Sequence, residues 1–243
     1  MSKIVIIIPS RLSAKRLPNK PLKLIQNKEM ILHVYETATK SNVDKVLVAS
    51  PDEEIINLIK SNGGLAVKTN ISHETGTDRV YEAFEKIFKK EPEFIINLQG
   101  DMPNIDKNSI NFLINHMKKK ICDIATLAGQ IKDKNEFNDP NVVKVLTKDE
   151  LNIDKFSEAL DFFRLKSEHS NNLYHHIGIY AFTSQSLNKF VNIKRSKLEL
   201  ERNLEQLRAL ENKMKIHVGF SSNIPLSVDT EEDYLNIKKL MNK

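Results

Sequence analysis

A chain of 243 residues with 40% hydrophobic and 28% charged side chains is long enough for one α/β core with an inserted lobe, and too evenly composed for disorder, collagen or a membrane class. The single Cys122 excludes an intrachain disulfide and a multi-cysteine zinc site, fits a reducing cytoplasmic compartment, and reads as a small buried core residue. The formal charge of +5 permits an anionic partner, but the lysines are scattered over helix faces without an aromatic-interleaved stripe, so no nucleic-acid partner is expected.

The first apolar run, Ile4–Ile8, stops at Pro9 and is far too short for a signal or membrane segment; it predicts a buried strand and no membrane partner. From there to about residue 130, short apolar runs alternate with amphipathic stretches, as βα units feeding a mostly parallel sheet do. Strands are predicted at Ile4–Ile8, Lys45–Ala49, Leu65–Lys68, Phe94–Leu98 and Ile124–Ala128. Helices are predicted at Met30–Lys40, Glu53–Ser61, Thr77–Phe88 and Lys107–Lys119. In the third helix Val80, Ala83, Phe84, Ile87 and Phe88 line one face, which should lie on the sheet. Gly63 and Gly64 stand where the second helix needs a left-handed stop. Beyond residue 130, Val142–Thr147 and His176–Phe182 look like strands, while Leu151–Asn172 is polar and irregular. A long charged helical stretch, Leu198–Glu211, precedes a strand at Ile216–Gly219 and a closing helix from Thr230. The expected organisation is one domain over 1–243, with a nucleotide-binding half to about 130, a sugar and dimerisation lobe over about 131–215, and a closing segment over 216–243.

Three segments carry chemistry. The first strand empties into Pro9–Leu22, a loop with four cations and three prolines at the strand edge where open α/β sheets bind ligands; a triphosphate suits it. Neither GxxxxGK[ST] nor GxGxxG is present, which argues against a P-loop ATPase or a dinucleotide-binding dehydrogenase. The fourth strand ends in Gln99-Gly100-Asp101-Met102-Pro103, so Asp101 reaches the same edge as a candidate Mg²⁺ ligand, with Gly100 allowing close approach of backbone and ligand. Magnesium needs only one or two protein carboxylates, and Asp229 is the second candidate, although helix N-capping explains it equally well. His73–Arg79 opens the third helix: Arg79 and free backbone N–H groups suit an anion or a base edge, and either Thr75 or Thr77 suits an ordinary cap.

Together these motifs resemble the CMP-Kdo synthetases, the 3-deoxy-manno-octulosonate cytidylyltransferases, over nearly the whole chain. The pieces are PSRLSAKRLPNKPL at Pro9–Leu22, MILHVYE at Met30–Glu36, HETGTDR at His73–Arg79, NLQGDMP at Asn97–Pro103, DPNVVKV at Asp139–Val145, HIGIYAF at His176–Phe182, LEQLRAL at Leu204–Leu210, KIHV at Lys215–Val218 and VDTEEDY at Val228–Tyr234. The resemblance implies a Rossmann-like α/β fold, with a mostly parallel sheet, helices on both faces and a smaller mixed α+β dimerisation and substrate lobe. It also implies a homodimer, a role in lipopolysaccharide assembly, and the reaction of CTP with the 2-keto sugar acid Kdo to give CMP-Kdo and pyrophosphate. By position it implies that Arg11, Arg16 and Lys20 clamp the triphosphate, that Thr75 and Arg79 belong to the nucleotide pocket, and that Asp101 and Asp229 hold Mg²⁺. Lys20, Arg16, Asp101 and Asp229 are then the catalytic set, and Gln99, His176, Glu205 and Gln206 contact the sugar acid.

The chain departs from the family pattern in places. Phe156-Ser157-Glu158-Ala159-Leu160 stands where the family reads FSRA, so Glu158 reverses the charge of an arginine that helps hold the sugar carboxylate, unless Arg164 or another cation substitutes. Met102 replaces an acid, Asn19 a glycine and Lys15 a small hydroxyl residue, and Arg202 stands where an acid is common. The leading expectation is therefore a cytidylyltransferase for Kdo or another nonulosonic-type acid; the alternative is a nucleotide or sugar-nucleotide binding protein that has lost its sugar site.

Overall fold

A computed structural model describes residues 3–14, 16–89, 91–165 and 172–242. They form two compact units, one of residues 1–111 and 225–243, the other of residues 112–224.

In the first unit β1 (Ile4–Pro9) is buried along its whole length, as a strand covered on both faces must be. A two-stranded ribbon follows, β2 (Leu24–Ile25) with β3 (Lys28–Glu29), and then α1 (Met30–Thr39). Next come β4 (Lys45–Ser50), α2 (Glu53–Ser61), β5 (Leu65–Lys68), α3 (Gly76–Phe88) and β6 (Phe94–Leu98). Apart from the antiparallel β2–β3 ribbon, the strands of this unit pair in parallel, in the order β5-β4-β1-β6. The strand predictions for this half hold to within one residue. Gly63 has φ +74° and closes α2, as expected of a left-handed stop. The face of α3 is narrower than its spacing suggests: Val80, Ala83 and Phe84 are buried, whereas Ile87 is exposed. Thr75, not Thr77, caps that helix by accepting from the Asp78 amide. The chain leaves the unit within α4 (Lys107–Met117).

The second unit contains β7 (Ile124–Gly129), α5 (Lys134–Asn138), β8 (Lys144–Thr147), β9 (Phe156–Phe163), β10 (Leu173–Thr183), α6 (Ser184–Asn192), α7 (Lys197–Arg202), α8 (Leu207–Glu211) and β11 (Ile216–Phe220). Its sheet is mixed. The strand β7 lies parallel to β11 and antiparallel to β10, β9 is antiparallel to β11 and β8, and β8 also pairs with the start of β10. Two expectations are corrected here. Within Leu151–Asn172, read as irregular, residues 156–163 form a full strand whose polar positions hid its period; residues 166–171 of that stretch lie outside the described residues. The expected continuous helix over Leu198–Glu211 is two short ones, because Asn203 takes a left-handed conformation (φ 52°) that ends α7. The chain then returns to the first unit, where α9 (Glu231–Met241) closes it.

Candidate active site

At the end of β1 in the first unit, Ser10 still bonds the sheet, its amide donating to the Ala49 carbonyl at 3.0 Å. The loop beyond is fixed from several sides. The Leu12 amide donates to Asp52 Oδ2 (2.7 Å), the Asn19 amide donates to the Leu12 carbonyl (3.2 Å), and Leu17 sinks into an apolar cluster with Ile25, Met30, Val228 and Ile237. Asn19 has φ 55°, in the left-handed region that favours glycine and that asparagine tolerates best among the other residues; this explains how it replaces the family glycine. Lys20 begins the short 3₁₀ turn that follows. Lys15 lies outside the described residues.

The loop delivers its cations to two acids. The Lys20 ammonium lies 2.9 Å from Asp101 Oδ2 and 3.0 Å from Asp229 Oδ1, and Arg16 Nη2 lies 3.0 Å from Asp229 Oδ2. Burial opposes the charge on Lys20, but Asp101 and Asp229 outweigh it and raise its pKa above the ordinary lysine value. The acids are 128 positions apart in sequence (229 less 101) and are joined through the backbone as well, since the Val228 amide donates to the Asp101 carbonyl at 2.9 Å. Asp229 is not the helix cap. Thr230 takes that place and shares a capping box with Asp233, which leaves the Asp229 carboxylate for Lys20 and Arg16. Packing also suits glycine at position 100: a Cβ there would stand 2.9 Å from Ile31 Cδ1 and 3.4 Å from the Pro9 carbonyl. Met102 is buried and carries no carboxylate, so this chain has no third acid at that position.

Beside this edge, Arg79 is almost wholly buried and donates to Thr69 Oγ1 (2.6 Å) and to the Asn70 carbonyl (3.0 Å). Burial, and then the charge of the exposed Arg11, lower its pKa, which places two guanidinium groups within each other's field. The loop before α3 is organised by Glu82, whose carboxylate accepts from the Asn70 amide (2.8 Å) and contacts His73. Its burial is overcome by Lys86, Asn70 and His73, which hold its pKa down at about 2. Gln99 donates to Asn97 Oδ1 (3.0 Å), and Asn97 donates in turn to Thr77 Oγ1 (3.1 Å), tying the end of β6 to the start of α3. Asp52, Glu82 and Asn97 escaped the sequence reading because each acts on a backbone or side-chain partner distant in sequence.

In the second unit His176 is buried on β10. Thr126 on β7 offers its hydroxyl to the Ile179 carbonyl (2.7 Å) where β10 bulges, so the His176 Nε2 at 2.9 Å from that oxygen is the donor. Burial and then His175 push the His176 pKa down to about 3, so its ring is neutral. Glu205 and Gln206 lie between α7 and α8, and a buried ion pair sets that turn. Arg208 grips Glu199 with Nε at 2.8 Å and Nη2 at 2.6 Å, and Arg195 adds a bond at 3.0 Å. The side chain of Tyr180 lies in the field of Glu205; burial and that charge raise its pKa. Lys144, from the DPNVVKV segment, is buried and donates to the carbonyls of Asp139 (2.6 Å) and Arg164 (2.8 Å). The charge-reversed Glu158 is exposed and stands opposite His217 in the β9–β11 register. It is not among the lining residues of a cavity of about 390 Å³ formed by Asp161, Phe163, Arg164, Leu165 and Arg202. Arg202 there pairs with Asp161 at 2.7 Å, so the unusual arginine has found an acid within its own unit.

A parallel sheet that gathers loop cations and two carboxylates at one strand edge is the build of a nucleotidyltransferase. Residues 5–216 match the cytidylyltransferase family model. The chain is 40% identical to the 3-deoxy-manno-octulosonate cytidylyltransferases of Bartonella quintana and Thermodesulfovibrio yellowstonii, in each case over 98% of both chains. It superposes on the structure of a CMP:2-keto-3-deoxy-manno-octonic acid synthetase complexed with CTP at a TM-score of 0.90, with 33% identity and 99% of each chain covered. The chain belongs to the 3-deoxy-manno-octulosonate cytidylyltransferase family. No helix among the described residues is long and apolar enough to cross a membrane.

Proposed function

We propose that the protein transfers CMP from CTP to the anomeric hydroxyl of 3-deoxy-manno-octulosonate, releasing pyrophosphate, for lipopolysaccharide synthesis in the cytoplasm, and that it works as a homodimer. The observation that carries this reading is the convergence of Arg16, Lys20, Asp101 and Asp229 at the strand edge. Hard carboxylate oxygens from both acids already face one cation, the Lys20 ammonium, and that donor set fits Mg²⁺. Held by Asp101 and Asp229, magnesium supplies charge neutralisation on phosphate oxygens.

The chain's own residues do the rest. Arg11, Arg16 and Lys20 hold the triphosphate and meet charge that develops on the departing pyrophosphate, while Arg79 and Thr75 shape the nucleotide side. The sugar hydroxyl attacks the α-phosphorus as the bond to pyrophosphate breaks, and orientation of the two reactants supplies much of the rate. We assign Gln99, His176, Glu205 and Gln206 to the sugar acid. With its ring neutral, His176 serves as a hydrogen-bonding group rather than a cation. Nucleic acid and membrane are not partners in this reading.

The exposed Glu158 favours one further reading, a preference for a different nonulosonic-type acid. Pyrophosphate release measured with CTP, Mg²⁺ and a panel of 2-keto sugar acids decides between them. Turnover fastest with Kdo supports the main reading, turnover fastest with another acid the second, and CTP binding without turnover on any acid refutes both.

A further inference from the structure

The second unit brings together nitrogen and sulfur donors that have no part in the reaction above. His116, near the end of α4, and His217, on β11, face each other with Nε2 and Nδ1 2.9 Å apart. Cys122 completes a group whose ligand atoms all lie within 4.8 Å of one another, the one such group found among the described residues. The Met117 thioether stands 3.7 Å from the Cys122 sulfur. The geometry points to a binding site for one zinc ion, ligated by His116 Nε2, His217 Nδ1 and Cys122 Sγ, with water in the fourth position.

The donor chemistry selects the ion. Two imidazoles and a thiolate suit a borderline-soft cation and offer nothing to magnesium or calcium, which prefer oxygen. In a tetrahedral zinc site, bonds of about 2.0–2.1 Å to nitrogen and 2.3 Å to sulfur set donors roughly 3.3–3.6 Å apart, so the imidazoles part by a few tenths of an ångström and the thiol closes by about one. The rings are already oriented: that of His116 stacks on Phe156 with centroids 3.5 Å apart and planes 10° from parallel. A cavity of about 180 Å³, lined by Asn115, His116, Phe156 and His217 among others, lies against both imidazoles and has room for the water.

The resting protonation states favour binding at two ligands and oppose it at the third. Burial, then His217 and Lys119, push His116 down to about 4, and burial lowers His217 as well, so both rings are neutral and able to ligate near pH 7. Burial and Asp123 push the Cys122 thiol up to about 12, while the His217 backbone N–H favours the thiolate. Zinc must therefore displace one proton, from sulfur to water. The proton between the two rings moves to the far nitrogen of the imidazole that carries it.

Titration of metal-stripped protein with Zn²⁺ by calorimetry, and with Co²⁺ by visible absorption, tests the site. The expected result is one ion per chain, a tetrahedral Co²⁺ spectrum with a thiolate-to-cobalt band, and a higher melting temperature with Zn²⁺. Loss of a mere outer-shell partner costs a metal site roughly 10–100-fold, so Cys122→Ser and His217→Ala should each weaken zinc by at least about 100-fold. Asp101→Asn should leave zinc binding unchanged. An octahedral Co²⁺ spectrum without the thiolate band overturns the proposal on the unaltered chain alone, as does zinc binding that survives Cys122→Ser and disappears in Asp101→Asn.

Discussion

The two units handle charge differently. In the first, Arg16 and Asp229 keep 53% and 38% of their side-chain exposure while they pair; in the second, Glu199 and Arg208 keep 1% and 3%. Exposed ion pairs stabilise a fold little, because water and salt compete for both partners, whereas a buried pair leaves a stranded charge if either member is removed. The exposed pair at the strand edge of the first unit can thus be reassigned to a ligand at little cost in stability. Those of the second hold a turn in place and cannot be spared.

Substitutions should separate the two roles. The largest effect is expected for Glu199→Gln or Arg208→Met, each of which strands a buried charge and should cost about 3–5 kcal/mol in urea unfolding. Asp101→Asn and Asp229→Asn should instead leave unfolding nearly unchanged and lower kcat by on the order of 10²–10³-fold, as expected when one preorganised charge-stabilising group is lost; near-normal rates at saturating Mg²⁺ would remove these acids from the mechanism. Smaller effects should follow pH. The folded-state pKa of His176 lies near 3, below its ordinary 6.5, so the unfolded chain binds the extra proton first. Stability from this group is complete above about 6.5 and declines as pH falls toward 3, and His176→Gln should flatten that slope in unfolding curves. The smallest expected change is at Asn19. Asn19→Ala should cost about 1 kcal/mol because alanine keeps the Cβ but loses the short polar side chain that makes the left-handed backbone tolerable, while Asn19→Gly should cost almost nothing by the same assay.

What could be read from the sequence follows the same division. Most strands and helices of the first unit follow plain apolar periods, so its elements, apart from the short β2–β3 ribbon, were visible in order along the chain, and the cationic loop and Asp101 stood out as candidates at the strand ends. Asp229 was ambiguous between cap and ligand until Thr230 proved to hold the cap. In the second unit β9 lacks a clean alternation, because Ser157 and Glu158 are adjacent polar residues and Ala159 and Leu160 adjacent apolar ones, and Asn203 breaks a helical period without a glycine or proline to mark it. Buried pairs such as Glu199 with Arg208, or Thr126 with His176, join residues that look like ordinary surface charge or core until the chain is folded. The grouping of His116, Cys122 and His217 has the same cause: 95 positions separate Cys122 from His217 (217 less 122), and no local spacing connects them.

The position of Lys20 has a consequence for how the strand edge is entered. Two facing carboxylates with nothing between them would push apart and splay the loop that carries their partners. With the Lys20 ammonium between them, the two acids are largely neutralised. In the proposed function a cation taking that seat would turn the lysine out, and a nucleotide's phosphates would give the lysine its next anion, so nucleotide arrival and the freeing of the two acids would be halves of one exchange.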